Sequence, residues 1–159
     1  KCNALYTYVT SNKNDVEMDR NKISKEYQQR KELYNRLGLN VVEALKNINI
    51  PNLRWPGGCF ADKYHWMDGI GPKDKRPTIR ELAWQSLETN QFGTDEYIKM
   101  ARMMDWTPMI TVNLGTGTPE EARNWVEYCN SPSGSLYADR RAANGSRQPY
   151  DVKLWCLGN

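Results

Sequence analysis

Along this chain the apolar positions switch between an alternating and a helical period, and the switches mark the elements. Residues 4–10 (ALYTYVT) have strand composition, and the polar stretch 11–15 reads as a turn. Residues 21–36 are heavily charged, with Ile23, Tyr27, Leu33 and Tyr34 as their few apolar points, which predicts a partly exposed helix. Asn40 is placed to cap a second helix whose apolar face is Val41, Val42, Ala44, Leu45 and Ile48, with Pro51 just past its end. A strand is expected at 52–55. The long excursion 57–93 should be functional or hold short helices of its own. Thr94 caps the next predicted helix, with Asp95 and Glu96 in its first turn and Tyr97, Ile98, Ala101 and Met104 facing the core. A strand at 109–113 and the turn Gly115-Thr116-Gly117 follow.

The clearest local signal comes next. Thr118, Pro119 and Glu121 supply an N-cap, a first-turn proline and a capping-box glutamate. Ala122, Trp125, Val126 and Cys129 then recur at helical spacing. Residues 130–150 are polar and read as a loop, in which Arg140, Arg141 and Arg147 form a solvated basic cluster. A last strand is expected at 152–157. The resulting order, strand and helix in turn with glycine-bearing loops after the strands, is that of an α/β fold with a parallel sheet. It accounts for about four of the eight strands of a (β/α)8 barrel, which needs about 250 residues. A doubly wound sheet is the alternative, but no Gly-rich dinucleotide fingerprint follows the first strand.

Composition narrows the function. The 159 residues carry a net charge of only +3, with both signs spread along the chain, so nothing points to a nucleic-acid partner. No apolar run approaches a membrane span. No signal peptide precedes Lys1, which leans toward the cytoplasm. Cys2, Cys59, Cys129 and Cys156 lack metal-ligand spacing, and a single His excludes a multi-histidine metal site. Cys129 and Cys156 sit in apolar patterns and read as buried thiols. No cofactor is indicated. Six Trp and nine Tyr against two Phe suit sugar stacking, and equally an ordinary core.

The chemistry gathers in residues 53–66, LRWPGGCFADKYHW. Two adjacent glycines allow a sharp turn. Arg54 is either held by a structural carboxylate or marks a polar site at a strand's C-terminal end. His65, between Tyr64 and Trp66, fits a hydrogen-bonded pocket wall better than a general base, and no nucleophile triad accompanies it.

LRWPGGCFADKYHWMDGIGPKDKRP, ETNQFGT, MITVNLGTGT, WVEYCN and VKLWCLGN, in that order, resemble the α-L-arabinofuranosidases of glycoside hydrolase family 51 from about Val41 to Asn159. The resemblance implies that residues 41–159 are the first half of a glycosidase (β/α)8 barrel, with residues 1–40 a poorly matched segment. It implies retaining hydrolysis of terminal α-L-arabinofuranosyl groups in arabinan, arabinoxylan and related hemicellulose. Such hydrolysis uses two carboxyl groups about 5–5.5 Å apart. Neither catalytic carboxylate matches a residue here: the acid/base is expected directly after Asn159 and the nucleophile further on. The substrate-binding residues carried over are Arg54, Cys59, Trp84 and Asn159. Cys59 stands where many members have a sugar-binding asparagine. Asp62, Asp68 and Glu88 fall in matching blocks as structural groups, and Glu17 is not carried over. Two alternatives stay open: a non-catalytic carbohydrate-binding or structural remnant, and a related endo-acting glucanase or xylanase. The expected partners are an arabinofuranosyl-bearing saccharide and either a second copy or the other half of the barrel.

Overall fold

The computed structural model describes residues 44–159 apart from 46, 82 and 83. The predicted elements at 4–10 and 21–36, the cap Asn40, and Glu17 and Cys2 lie outside the described residues. The chain divides into two compact units. In the smaller, residues 1–50 and 81–87, Ala44, Leu45 and Asn47 are helical as expected. Ile48, however, is 66 % exposed and does not join a buried face.

The larger unit, residues 51–80 and 88–159, carries a three-stranded parallel sheet. Its strands are β1 (Asn52–Trp55), β4 (Thr107–Val112) and β5 (Leu154–Leu157), with β4 central. Two short strands, β2 (Ile79–Glu81) and β3 (Ser86–Glu88), mark where the chain leaves this unit and returns. The register pairs Arg54 with Met109, and Met109 with Leu154; one residue on, Trp55, Ile110 and Trp155 align. Side chains alternate across a strand, so the second row faces one way with Leu53 and Val112, into the core. The first row faces the other way with Asn52.

Helices cover the core face: α1 (Thr94–Met103), α2 (Pro119–Asn130) and α3 (Leu136–Ala143). Between sheet and helices lies an aromatic core. Trp66 and Trp125 stack with centroids 5.9 Å apart, and Trp55 stacks on Tyr97 at 5.2 Å. Tyr128 tilts against Trp66, and Trp155 meets Trp125 edge-on. Each such pair adds about 0.5–1.5 kcal/mol beyond its area burial. The Trp and Tyr excess thus goes largely to the core, and among the described residues Trp84 is the tryptophan left exposed. Tyr97 binds the sheet together as well. Its hydroxyl donates to the Leu53 carbonyl of β1 and accepts from the Met109 N–H of β4 at 2.9 Å. Burial pushes its pKa up to about 12, so the hydroxyl stays a donor at any ordinary pH.

Four assignments differ from the sequence reading. β4 runs over Thr107–Val112 rather than 109–113, and Asn113 belongs to the loop that follows. Gly93, rather than Thr94, is the N-cap of α1; the Glu96 carboxylate reaches back to the Gly93 N–H at 2.9 Å, and the Thr94 hydroxyl accepts from Trp125 Nε1. β5 begins at Leu154 because Asn130 takes both backbone groups of Val152, each at 2.8 Å, as a strand partner would. Residues 130–150 contain α3, and its Arg141 is fully buried rather than solvated. The start of α2 is as predicted for Thr118, whose hydroxyl accepts from the Glu121 N–H at 3.1 Å, and for Pro119. The Glu121 carboxylate is engaged elsewhere, by His65. The excursion 57–93 does carry short 3-10 turns, at Gly58–Lys63, Trp66–Gly69 and Lys73–Lys75.

Candidate functional site at the C-terminal ends of the strands

All three strands of the larger unit's parallel sheet point the same way, so the loops after β1, β4 and β5 emerge on one side. The Trp55–Pro56 peptide bond is cis, and Gly58 takes a positive φ of 59° as the chain turns out of β1. Cys59 follows at once, exposed and with a free thiol. After β5, Gly158 at φ 81° turns the chain again and presents Asn159. The Arg54 guanidinium then spans the sheet and donates to Asn159 Oδ1 at 3.1 Å. Two residues 105 positions apart therefore meet across the intervening strand β4. Arg54 is exposed, and its hydrogen-bond partner among the described residues is an amide rather than a structural carboxylate. Trp84 belongs to the smaller unit, where it is 61 % exposed.

The loop after β4 is fastened to the loop after β1. Asn113, buried at the end of β4, accepts from the Gly115 and Thr116 N–H groups through Oδ1 at 3.0 and 2.9 Å. Its Nδ2 donates to Thr116 Oγ1 at 2.9 Å and to the Tyr64 carbonyl at 3.3 Å. Thr116 donates to the Asp62 carbonyl from both N and Oγ1, each at 3.1 Å. Gly115 must be glycine here, since a Cβ would fall 2.4 Å from the Asp62 carbonyl oxygen. Further out, His65 Nδ1 lies 3.0 Å from Glu121, and Trp66 Nε1 donates to the Glu121 carbonyl. His65 is thus a hydrogen-bonded wall residue. It lines an open cleft of about 500 Å³ with Asp68, Glu121, Asn124 and Tyr137. Burial raises the Asp68 pKa; His65 opposes that rise and Glu121 adds to it. Glu88 accepts from the Asn90 N–H at 2.7 Å, a local turn contact.

Asn113 was not singled out by the sequence. A lone Asn before a Gly-Thr-Gly turn carries no periodic signal, although Asn side chains that bond the backbone two or three residues on are a known turn device. Among the described residues no cluster of three His, Cys, Asp or Glu side chains could hold a metal ion, and no helix is long and apolar enough to cross a membrane.

Known proteins resemble this chain over most of the described residues. The Alpha-L-arabinofuranosidase 1 domain family matches residues 44–159. A probable alpha-L-arabinofuranosidase C of Aspergillus niger is 54 % identical over 120 residues, covering 76 % of this chain and 24 % of the relative. An intracellular exo-alpha-(1->5)-L-arabinofuranosidase of Acetivibrio thermocellus is 45 % identical over the same share of the chain. Among solved structures, the alpha-L-arabinofuranosidase of Thermotoga maritima in its arabinose complex superposes with a TM-score of 0.73 at 54 % identity, over 76 % of this chain and 25 % of that one. The family 51 enzyme of Thermotoga petrophila gives the same TM-score at 55 % identity, over 75 % and 25 %. The chain spans about a quarter of the length of the relatives it matches.

Proposed function

Because this chain belongs to the α-L-arabinofuranosidase family of glycoside hydrolase family 51, we propose that it forms the sugar-binding part of a retaining glycosidase acting on terminal α-L-arabinofuranosyl groups of hemicellulose. The observation that carries this reading is the Arg54–Asn159 contact at the C-terminal ends of parallel strands. That is the end at which (β/α)8 barrels gather their chemistry. We read β1, β4 and β5 as consecutive barrel strands, residues 41–159 as the first half of the barrel, and residues 1–40 as a separate segment.

The roles follow from the chemistry of each group. The Arg54 fork can hold a carboxylate in two-point fashion, which keeps a catalytic carboxylate ionised and aimed. Asn159 can bond a sugar 2-hydroxyl, a contact that strengthens as positive charge develops on the ring. Cys59 can meet a sugar as a weak donor; Trp84, on the smaller unit, is by itself an exposed face on which a sugar can stack. Neither the acid/base nor the nucleophile is assigned to a residue of this chain. The partners are then an arabinofuranosyl-bearing saccharide and the rest of the barrel. The name of the Acetivibrio thermocellus relative supports an intracellular setting.

An aryl α-L-arabinofuranoside tests the reading. The 159-residue chain should release no aryl alcohol above background. A longer product, made by fusing the chain to the part of the Thermotoga maritima relative that follows its matched residues, should release it, with the α-anomer of arabinose formed first, as retention requires. Turnover by the chain alone would place the chemistry on residues named here. A longer product that binds the glycoside without turnover would leave the non-catalytic reading, and internal cleavage of a glucan or xylan would leave the endo-acting one.

A further inference from the structure

We propose that Asn113 is a positioning residue that sets the place of Asn159, and with it the Arg54–Asn159 contact. The inference rests on the reading of that contact as a sugar site. Asn113 itself touches neither residue. It acts through the loop it closes.

The path is short. The ladder between β4 and β5 ends at Val112 and Leu157. Beyond it no strand pairing in that register holds Gly158 and Asn159. Leu114 lies beside Gly158 instead: a Cβ on Gly158 would lie 3.3–3.4 Å from three Leu114 side-chain atoms. Leu114 is the residue between Asn113 and Gly115. Its neighbours are pinned on both sides, Asn113 by burial and Gly115 by its N–H bond to Asn113 Oδ1 and its fit against Asp62. Leu114 is exposed, so its own burial does not fix it. The four bonds of the Asn113 amide do. One of them ties the loop to the Tyr64 carbonyl, and Thr116, which the amide also holds, donates to the Asp62 carbonyl, both in the segment that carries Cys59. One amide thus references the loops after β1 and β4, and the turn after β5, to one another. An amide is required, because the two acceptor bonds and the two donor bonds are made by opposite ends of one side chain.

The test uses the full chain labelled with 15N in Arg and Asn side chains. Asn113→Ala removes all four bonds. Thr116→Val, at an exposed position, removes one partner of the amide and one bond to Asp62. In both variants the Arg54 guanidinium and Asn159 amide signals should shift, while those of the buried Arg76 and Arg141 stay. Exchange of the Gly115 and Thr116 amides should rise about tenfold in Asn113→Ala, as expected for loss of a net hydrogen bond. Asn113→Asp keeps only the acceptor bonds, so the shifts should persist with slower exchange than in Asn113→Ala. Unmoved Arg54 and Asn159 signals in a variant with accelerated exchange would overturn the proposal. So would equal movement of Arg76 and Arg141, which would mean general loss of structure; if Asn113→Ala behaves so, Thr116→Val decides. Addition of L-arabinose to the parent chain separates the two readings. Shifts in the variants, with no response of the parent to arabinose, would sink the sugar site and leave the positioning intact.

Discussion

Replacing Arg141 with Met should cost about 3–5 kcal/mol of folding stability, a large part of the roughly 5–15 kcal/mol that holds a domain together. Arg141 is fully buried on α3. Rather than pairing with a carboxylate, its guanidinium donates to four backbone carbonyls: Tyr128, Ser131, Ser146 and Arg147. The first two belong to the C-terminal turn and cap of α2, where carbonyls have no partner within the helix. A positive charge there also suits the helix dipole. Met has similar bulk and would leave little void, so the loss isolates the orphaned acceptors, each worth about 1–3 kcal/mol when buried. Arg141→Lys should fall between, since one ammonium cannot reproduce the planar fork. Urea unfolding would read both, as a lower midpoint at unchanged slope. A change below about 1 kcal/mol for Arg141→Met would show that water replaces the guanidinium.

Gly93→Ala should be nearly as damaging, by about 3 kcal/mol. The cause is steric and does not involve backbone conformation: Gly93 sits at φ −129°, open to any residue. A Cβ there would lie 1.8 Å from the Gly69 carbonyl oxygen and 2.6 Å from its carbon, backbone against backbone. Neither side can give. Gly93 donates to Glu96, which is held in turn by Arg76 at 3.0 and 3.1 Å, and Arg76 donates to the Gly71 and Asn90 carbonyls. Gly57→Ala supplies the contrast. Nothing lies within 4 Å of a Cβ at Gly57, so stability should change by less than about 0.5 kcal/mol. Equal effects of the two substitutions would contradict the packing described at Gly93.

The alternation of strands and helices was legible because β1, β4 and β5 keep apolar rows and α2 opens with Thr118-Pro119, local features that tertiary packing did not overrule. α3 was not legible for a definite reason. Its buried face holds Ala138 and Arg141, while Leu136 at its start is 70 % exposed. The hydrophobic pattern is inverted there, and a buried Arg satisfied by carbonyls looks from sequence like a solvated one. Thr94 misled in a similar way: a good capping residue gave its hydroxyl to Trp125, and a glycine followed three residues later by Glu96 served as cap. Arg54 stood out as a guanidinium at a strand end and Asn159 came from resemblance; spacing linked neither to the other, since 105 residues separate them. Their meeting depends on β4 lying between β1 and β5, which only the sheet order reveals. Asn113 was invisible for the converse reason: most of its partners are backbone atoms, and backbone has no sequence signature.

Among the described residues β1 and β5 border the parallel sheet, and Leu157 on β5 is 80 % exposed. Unpaired strand edges with exposed apolar side chains invite another chain. The most direct test of the proposed function is therefore complementation: the 159-residue chain is mixed with the part of the Thermotoga maritima relative that follows its matched residues, and both association and hydrolysis of an aryl α-L-arabinofuranoside are followed. Neither part should hydrolyse the glycoside alone, the two should associate, and the complex should turn over. Arg54→Ala in the chain should lower kcat/KM by about 10- to 150-fold, the loss of one charged hydrogen-bonding group. Hydrolysis by the chain alone, or a complex whose activity ignores Arg54→Ala, would contradict the proposed function.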